Sequence, residues 1–291
     1  MSKQTQANLL LLLAAFVWGF AFVAQRQGML HLGPFTFNGI RFVLGTLSLL
    51  PLLVIFKPTK SQNLTSYRLF IDGTLAGLAL FVAASLQQSG MVYTTAGNAG
   101  FITSLYIVFV PLIGLLFSQG SNSRIWISVG IAMIGFYLLS VGKEVKIQQG
   151  DLLVFISAIF WAIHLIILSM VAPRHDFRKL AIIQYSFVAL ASLVVAIMVE
   201  NPNVYAVKQA AIPLLYAGIV SVGIGFTLQL LAQRYARADH AALILSLEAV
   251  FAALGGWIIL NETTSFRGMA GCVLILLGVA YSQIKKRDFT A

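Results

Sequence analysis

Charge is what this sequence has least of. Only 10% of its 291 residues are Asp, Glu, Lys or Arg, against 59% hydrophobic, and the mean hydropathy is +0.90. A soluble domain carries about a quarter charged residues, so this balance belongs to a polytopic membrane protein. The interval 73–123 holds no charged residue. That is far longer than the ~20 apolar residues one crossing needs, so it must contain two. Cysteine is nearly absent too. Cys272 stands alone inside an apolar run, which excludes an intrachain disulfide framework and leaves the redox compartment open. Also missing are a Walker-type phosphate loop, a His-Glu metal motif, paired aspartates, and a serine nucleophile with a base. Nucleotide hydrolysis within this chain and intramembrane catalysis find no support.

What is there is a succession of apolar runs. Ten spans are expected, at 8–26, 34–56, 68–90, 94–117, 124–142, 150–172, 178–199, 210–233, 238–260 and 267–284. Each can cross ~30 Å of hydrocarbon as a helix at ~1.5 Å per residue. The runs are solidly apolar and do not alternate, so a β-barrel is ruled out. The first run, Leu9–Ala24, reads as an uncleaved span, because the rest of the chain is equally apolar. Turn chemistry marks the joints at Gly33-Pro34, Lys57-Pro58, Gly120-Ser121-Asn122 and Asn201-Pro202-Asn203.

The net charge of +10 is scattered in short clusters between spans, a topology signal and no nucleic-acid patch. Lys3, Lys57, Lys60, Arg68, Arg124, Arg174, Arg178, Lys179, Arg234, Arg237, Lys285, Lys286 and Arg287 fall on one side. Arg26, Lys143, Lys146, Lys208 and Arg267 fall on the other. Basic residues concentrate on the inside. Both termini are therefore expected in the cytoplasm, with the chain multi-pass in the cytoplasmic (inner) membrane.

The two halves resemble each other. Placing 86–106 over 228–248 brings Leu86, Gln87, Tyr93, Ala96, Ala99, Ser104 and Leu105 onto Leu228, Gln229, Tyr235, Ala238, Ala241, Ser246 and Leu247. FVWG (16–19) meets IFWA (159–162) at nearly the same offset, and Gly135 meets Gly278. Each half holds five spans, and five is odd, so the second copy crosses in the opposite sense. The expectation is one all-α transmembrane domain (1–291) of two inverted five-helix repeats, 1–142 and 150–291. Inverted repeats around a midplane site are a hallmark of secondary transporters.

Trp18-Gly19, Pro34 followed by Arg41, Trp161-Ala162, and SLEAVFAALGGWIILNE (246–262) followed by Gly271 and Gly278 occur in an order and spacing that resemble the drug/metabolite transporter superfamily, specifically EamA-type permeases. The resemblance covers nearly the whole chain. It implies transport, often export, of small organic solutes such as amino acids, vitamins, nucleobases or drugs. Two departures stand out. Ala249 occupies a position where that family usually has proline, so no proline kink is imposed on span 9. Asn261-Glu262 stands where Gly-Glu is usual.

Candidate pathway residues follow from depth and from the repeat. Glu248 lies about ten residues into span 9, close to the midplane, where an ionised side chain costs ~2.5–3.5 kcal/mol even on gentle scales. It should therefore face protein or water, either as a proton-exchanging acid at the solute site or as a neutral acid bonding two helices. Arg41 is a counter-ion for a carboxylate or for Glu248, or else a snorkelling side chain reaching the outer headgroups, and the snorkelling reading is preferred. His164 shares a helix face with Trp161 and is either a proton relay or a helix-bonding residue. Trp18, Phe22, Tyr106 and Trp161 are midspan aromatics, of which Trp18 and Trp161 are repeat-paired. Gln87 and Gln229 are repeat-paired polar groups near opposite ends of their spans. Asn98, Ser104 and Ser246 complete the set. For each of these, interhelical packing is the alternative to pathway lining.

The expected function is that of a secondary permease, an exporter by resemblance, moving small metabolites such as amino acids across the membrane by alternating access. Its partners are a small solute, protons where Glu248 couples, and the bilayer, with no cofactor and no metal. The alternatives are a facilitative drug, nucleobase or vitamin permease without proton coupling, and an intramembrane enzyme. Oligomeric state is left open.

Overall fold

The computed structural model describes residues 2–55, 65–116, 120–140, 149–261 and 265–284. Lys57, Lys60, Lys143, Lys146, Lys285, Lys286 and Arg287 of the charge bias, the Lys57-Pro58 joint and Glu262 lie outside these residues. Among the described residues the chain is entirely helical, with no strand. In lipid a backbone N–H or C=O without a partner costs several kcal/mol, and a helix satisfies nearly all of them internally.

The helices in order are α1 (Lys3–Gly28), α2 (Pro34–Ile55), α3 (Ser66–Gly90), α4 (Ala96–Ser104), α5 (Tyr106–Leu116), α6 (Ser123–Ser140), α7 (Gln149–Val171), α8 (Phe177–Val199), α9 (Val204–Gln209) and α10 (Ala211–Leu215). A π-helical segment, Tyr216–Phe226, follows, and then α11 (Thr227–Gln233), α12 (Ala238–Leu245), α13 (Glu248–Leu260) and α14 (Phe266–Gln283). Among the described residues nine segments are long and apolar enough to cross a membrane, and Ser123–Leu139 is a shorter apolar helix.

Helix starts follow ordinary capping chemistry. Ser2, Thr65, Thr95, Asp176 and Ser265 each accept a hydrogen bond from a backbone N–H of the first turn that follows. Pro34 opens α2, where a missing N–H costs nothing. The carboxylate of Glu200 accepts from Phe35 N, Thr36 N and Thr36 Oγ1 at 2.9, 2.8 and 2.6 Å. A Cβ at residue 33 would collide with that carboxylate, which accounts for Gly33. Asn261 ends α13 at φ 55°, ψ 29°. Glycine usually takes this left-handed position and asparagine is the next best residue, so the departure from Gly-Glu is conformationally conservative.

Packing exchanges the two halves of the chain. α6 packs on α14, and α2 on α8; α3 meets α7 and α8, while the span formed by the π segment and α11 meets α1, and its π segment meets α2. In the same way α13 packs on α1, while α4 and α5 pack on α7. Small residues permit the closest approaches. A Cβ on Gly135 would lie 2.7 Å from the Gly271 carbonyl oxygen, and Gly73, four residues before Gly77, abuts Ile183. The periphery is studded with exposed Leu, Ile, Val and Phe, including Val54, Leu116, Ile197, Met198 and Ile212. So much exposed apolar surface fits a lipid-facing exterior.

Candidate functional site

Spans 4 and 9, expected to be continuous, are each interrupted, and at matching places. Leu105 separates α4 from α5, and Ser246–Leu247 separate α12 from α13. At both points the backbone tightens into 3₁₀ turns. Leu105 N and Val108 N reach back three residues, as do Leu247 N and Ala249 N. No proline is involved at span 9, and a back-bonded serine stands at each break. Ser104 Oγ donates to Gly100 O at 2.9 Å and lies 3.4 Å from Ser246 O, while Ser246 Oγ donates to Leu243 O at 2.8 Å. Serine hydroxyls that bond back to carbonyls of the preceding turn bend helices. The first residues after the breaks are Tyr106 and Glu248, which occupy equivalent positions in the two halves.

Beside these breaks lies a cavity of ≈ 480 Å³ of empty space, its open side included. Eight of the twelve sequence candidates line it: Trp18, Phe22, Arg41, Gln87, Tyr106, Trp161, Gln229 and Glu248. The other four stand back from it. Ser104 and Ser246 hold the breaks, and Asn98 is half-buried in the first turn of α4. His164 is fully buried, with Nε2 3.1 Å from Gln184 Oε1, and packs against Trp161 and Phe226. Sequence reading missed Gln25, Thr103, Leu165, Ser221, Phe226 and Leu245. The repeat contained a signal for three of them. Thr103 and Leu245 are equivalent at the offset used above, and Leu165 is the counterpart of Phe22, as Trp161 is of Trp18. Phe226 carried no such mark.

The wall is aromatic. Trp18 and Phe226 have ring centroids 4.6 Å apart, and Trp161 stacks on Phe226 at 5.9 Å with an interplanar angle of 18°. Trp18 Nε1 donates to Ser221 O at 3.2 Å, and Gln87 Nε2 donates to Thr103 Oγ1 at 2.8 Å. Several other polar atoms complete no hydrogen bond among the described residues. Gln25 Oε1, Arg41 Nε, Tyr106 Oη, Trp161 Nε1, Gln229 Oε1 and Glu248 Oε1 are all buried without a hydrogen-bond partner.

Arg41 was preferred as a snorkelling side chain, but it is only 2% exposed and turns inward. Its guanidinium approaches the rings of Phe42 at 5.2 Å and Phe37 at 5.9 Å, and it forms no ion pair among the described residues. Tyr106 and Glu248, which both line the cavity, interact electrostatically, although neither the phenol oxygen nor Glu248 Oε1 completes a hydrogen bond of normal geometry. Native interiors rarely leave buried polar atoms unpaired, and a cluster of them around one cavity is what a polar ligand would satisfy. Among the described residues no three His, Cys, Asp or Glu side chains converge as a metal site.

The comparisons with known proteins agree with this architecture. The profile of the EamA-like transporter family matches twice, over residues 5–141 and 148–282. An uncharacterized transporter of Archaeoglobus fulgidus is 32% identical over 279 residues, covering 95% of this chain and 85% of that protein. The uncharacterized transporter YoaV of Bacillus subtilis is 26% identical over 278 residues, covering 90% and 91%. A crystal structure superposes with a TM-score of 0.76 over 96% of both chains at 18% identity, a likeness of fold alone. With both halves matched and the relatives aligned nearly end to end, the chain is a multi-pass membrane protein that belongs to the EamA-like transporter family, within the drug/metabolite transporter superfamily.

Proposed function

We propose that this protein is a secondary transporter, and no enzyme, that moves amino acids or similar zwitterionic metabolites across the cytoplasmic membrane by alternating access, in the export direction. In this reading the chain forms ten spans in two inverted five-helix repeats with both termini in the cytoplasm. The central cavity is the solute site. The observation that carries the proposal is the cavity itself, where repeat-equivalent pairs meet beside two interrupted helices: Trp18 with Trp161, Gln87 with Gln229, Tyr106 with Glu248.

Discontinuous helices at a repeat interface are how such carriers bring helix ends and polar groups to a solute. Aromatic walls with one cation and one acid suit a body of moderate apolarity that bears both charges. The rocking element follows from the packing. The halves touch through small residues and through the Ser104–Ser246 contact, which lies between equivalent positions of the two repeats.

The test is flux in proteoliposomes. Purified protein should exchange labelled amino acids against an internal pool, and Trp161→Ala should abolish this while leaving the protein folded. Absence of exchange for every amino acid sinks the substrate reading. Reporter fusions that place the termini on opposite sides would sink the ten-span topology.

A further inference from the structure

The cavity holds one cation and one acid that do not pair with each other. Arg41 comes from α2 and Glu248 from the start of α13, and both line the same empty space. They are 2% and 4% exposed, and neither appears in any ion pair among the described residues. Guanidinium keeps its proton in proteins. An isolated charge at this depth is costly, so each of these groups favours a counter-charge. Among the described residues neither is paired directly, and in the empty cavity the two balance each other only at a distance.

Among the described residues no other charged side chain lines the cavity. Of the elements around Glu248, α5 contributes the phenol of Tyr106, and α1, α3 and α11 contribute the neutral amides of Gln25, Gln87 and Gln229. His164 on α7 lies behind the wall, engaged with Gln184. The electrical balance of the cavity is therefore set by Arg41, Glu248 and whatever enters.

We propose that Arg41 and Glu248 form a charge-matching pair that decides which solutes enter and whether a proton travels with them. Arg41 requires a carboxylate on the solute. Glu248 meets the solute's ammonium group when there is one, and carries one proton when there is none. This rests on the cavity being the solute site, as proposed above.

Three cases follow. A zwitterion satisfies both side chains, with Glu248 ionised, and moves without a proton. A monocarboxylate satisfies Arg41 only, so the Glu248 carboxylate takes one proton from water on the loading side and returns it on the other as the solute leaves. The loaded and empty cavities are then both neutral, and transport is electroneutral at one proton per anion. An amine without a carboxylate leaves Arg41 unmatched and is rejected.

The experiment uses two series of matched probes: L-phenylalanine, 3-phenylpropionate and 2-phenylethylamine, then L-leucine, 4-methylpentanoate and 3-methylbutylamine. Within each series the body is constant and only the charged groups differ. Binding to purified protein is read from tryptophan fluorescence, since Trp18 and Trp161 line the cavity. Proton exchange is read with a pH dye in weakly buffered solution at about pH 6 and about pH 7, where the probes keep their charges. Flux is read in liposomes against protein-free controls.

The expected result is binding of both carboxylates, at least about thirty-fold weaker binding of the amines, and one more proton on the protein with the monocarboxylate than with the zwitterion. Glu248→Gln should erase that one-proton difference. Arg41→Gln should weaken both carboxylates by more than about thirty-fold, and Arg41→Lys should restore part of it. Equal proton counts for zwitterion and monocarboxylate, or amines bound as well as carboxylates, overturn the proposal even if transport occurs. Should Arg41→Gln fail to fold, the amine comparison on the unmodified protein decides. No binding and no flux with any of the six probes overturns the solute-site reading as well.

Discussion

At the α6–α14 crossing, Gly135 and Gly271 bring two backbones into direct contact, and a single substitution tests whether that contact is needed. A Cβ at 135 would lie 2.7 Å from Gly271 O and 2.8 Å from Ile275 N, both main-chain atoms that no rotamer change can move aside. Ordinary non-bonded contacts need ~3.5 Å or more, so Gly135→Leu must push the helices apart by close to an ångström.

Overpacking of this kind costs up to about 3 kcal/mol. Replacing glycine inside a helix returns at most ~1 kcal/mol of propensity, leaving about 2 kcal/mol of destabilisation. At ~2–4 °C per kcal/mol for chains of this size class, the melting temperature should fall by roughly 4–8 °C. Gly130 is the control, five residues earlier on the same helix. It is exposed, and a Cβ there would meet nothing within 4 Å. Gly130→Leu should leave the melting temperature unchanged or slightly raised. Both variants are read by size-exclusion chromatography of detergent-solubilised protein after a heating series. An equal loss at both positions, or none at 135, would refute the close-contact argument.

Two further outcomes are expected from contacts elsewhere. Glu200→Ala removes three hydrogen bonds from the start of α2, a cap whose loss costs ~1–2 kcal/mol. The melting temperature should drop by about 2–8 °C, and an unchanged value would show that the cap contributes nothing. Ser246→Ala deletes the Leu243 back-bond that helps separate α12 from α13. With one net hydrogen bond of ~1 kcal/mol at stake, stability should hardly move while solute flux falls several-fold, and full flux would mean that the interruption does not depend on the serine.

The sequence alone determined the solvent and the general plan. Fifty-nine per cent hydrophobic residues and a charge-free interval from 73 to 123 leave no place for this chain but a bilayer. Similarity between the halves marks a repeated unit, and the family profile matches each half separately. Repeat pairing was also the best guide to the cavity. Trp18 with Trp161 and Gln87 with Gln229 all line it.

Tertiary structure decided which way each helix faces. Spans in lipid are apolar all round, so the usual amphipathic signal of an inward face is lost. That is why depth alone sent Arg41 to the headgroups, whereas packing of α2 against α8 and the π segment turns it into the cavity. The same loss hid Phe226, one phenylalanine among many. It also placed His164 on the right face as a neighbour of Trp161 but behind the wall. The breaks at Leu105 and Ser246–Leu247 were equally invisible, since span 9 has no proline to mark one and the back-bonding serines that stand there also occur inside continuous helices. A sequence can say that an acid sits at mid-membrane. Only the assembled helices show that this acid, its tyrosine counterpart in the other half and Arg41 line one cavity, and that the arginine forms no ion pair with the acid among the described residues.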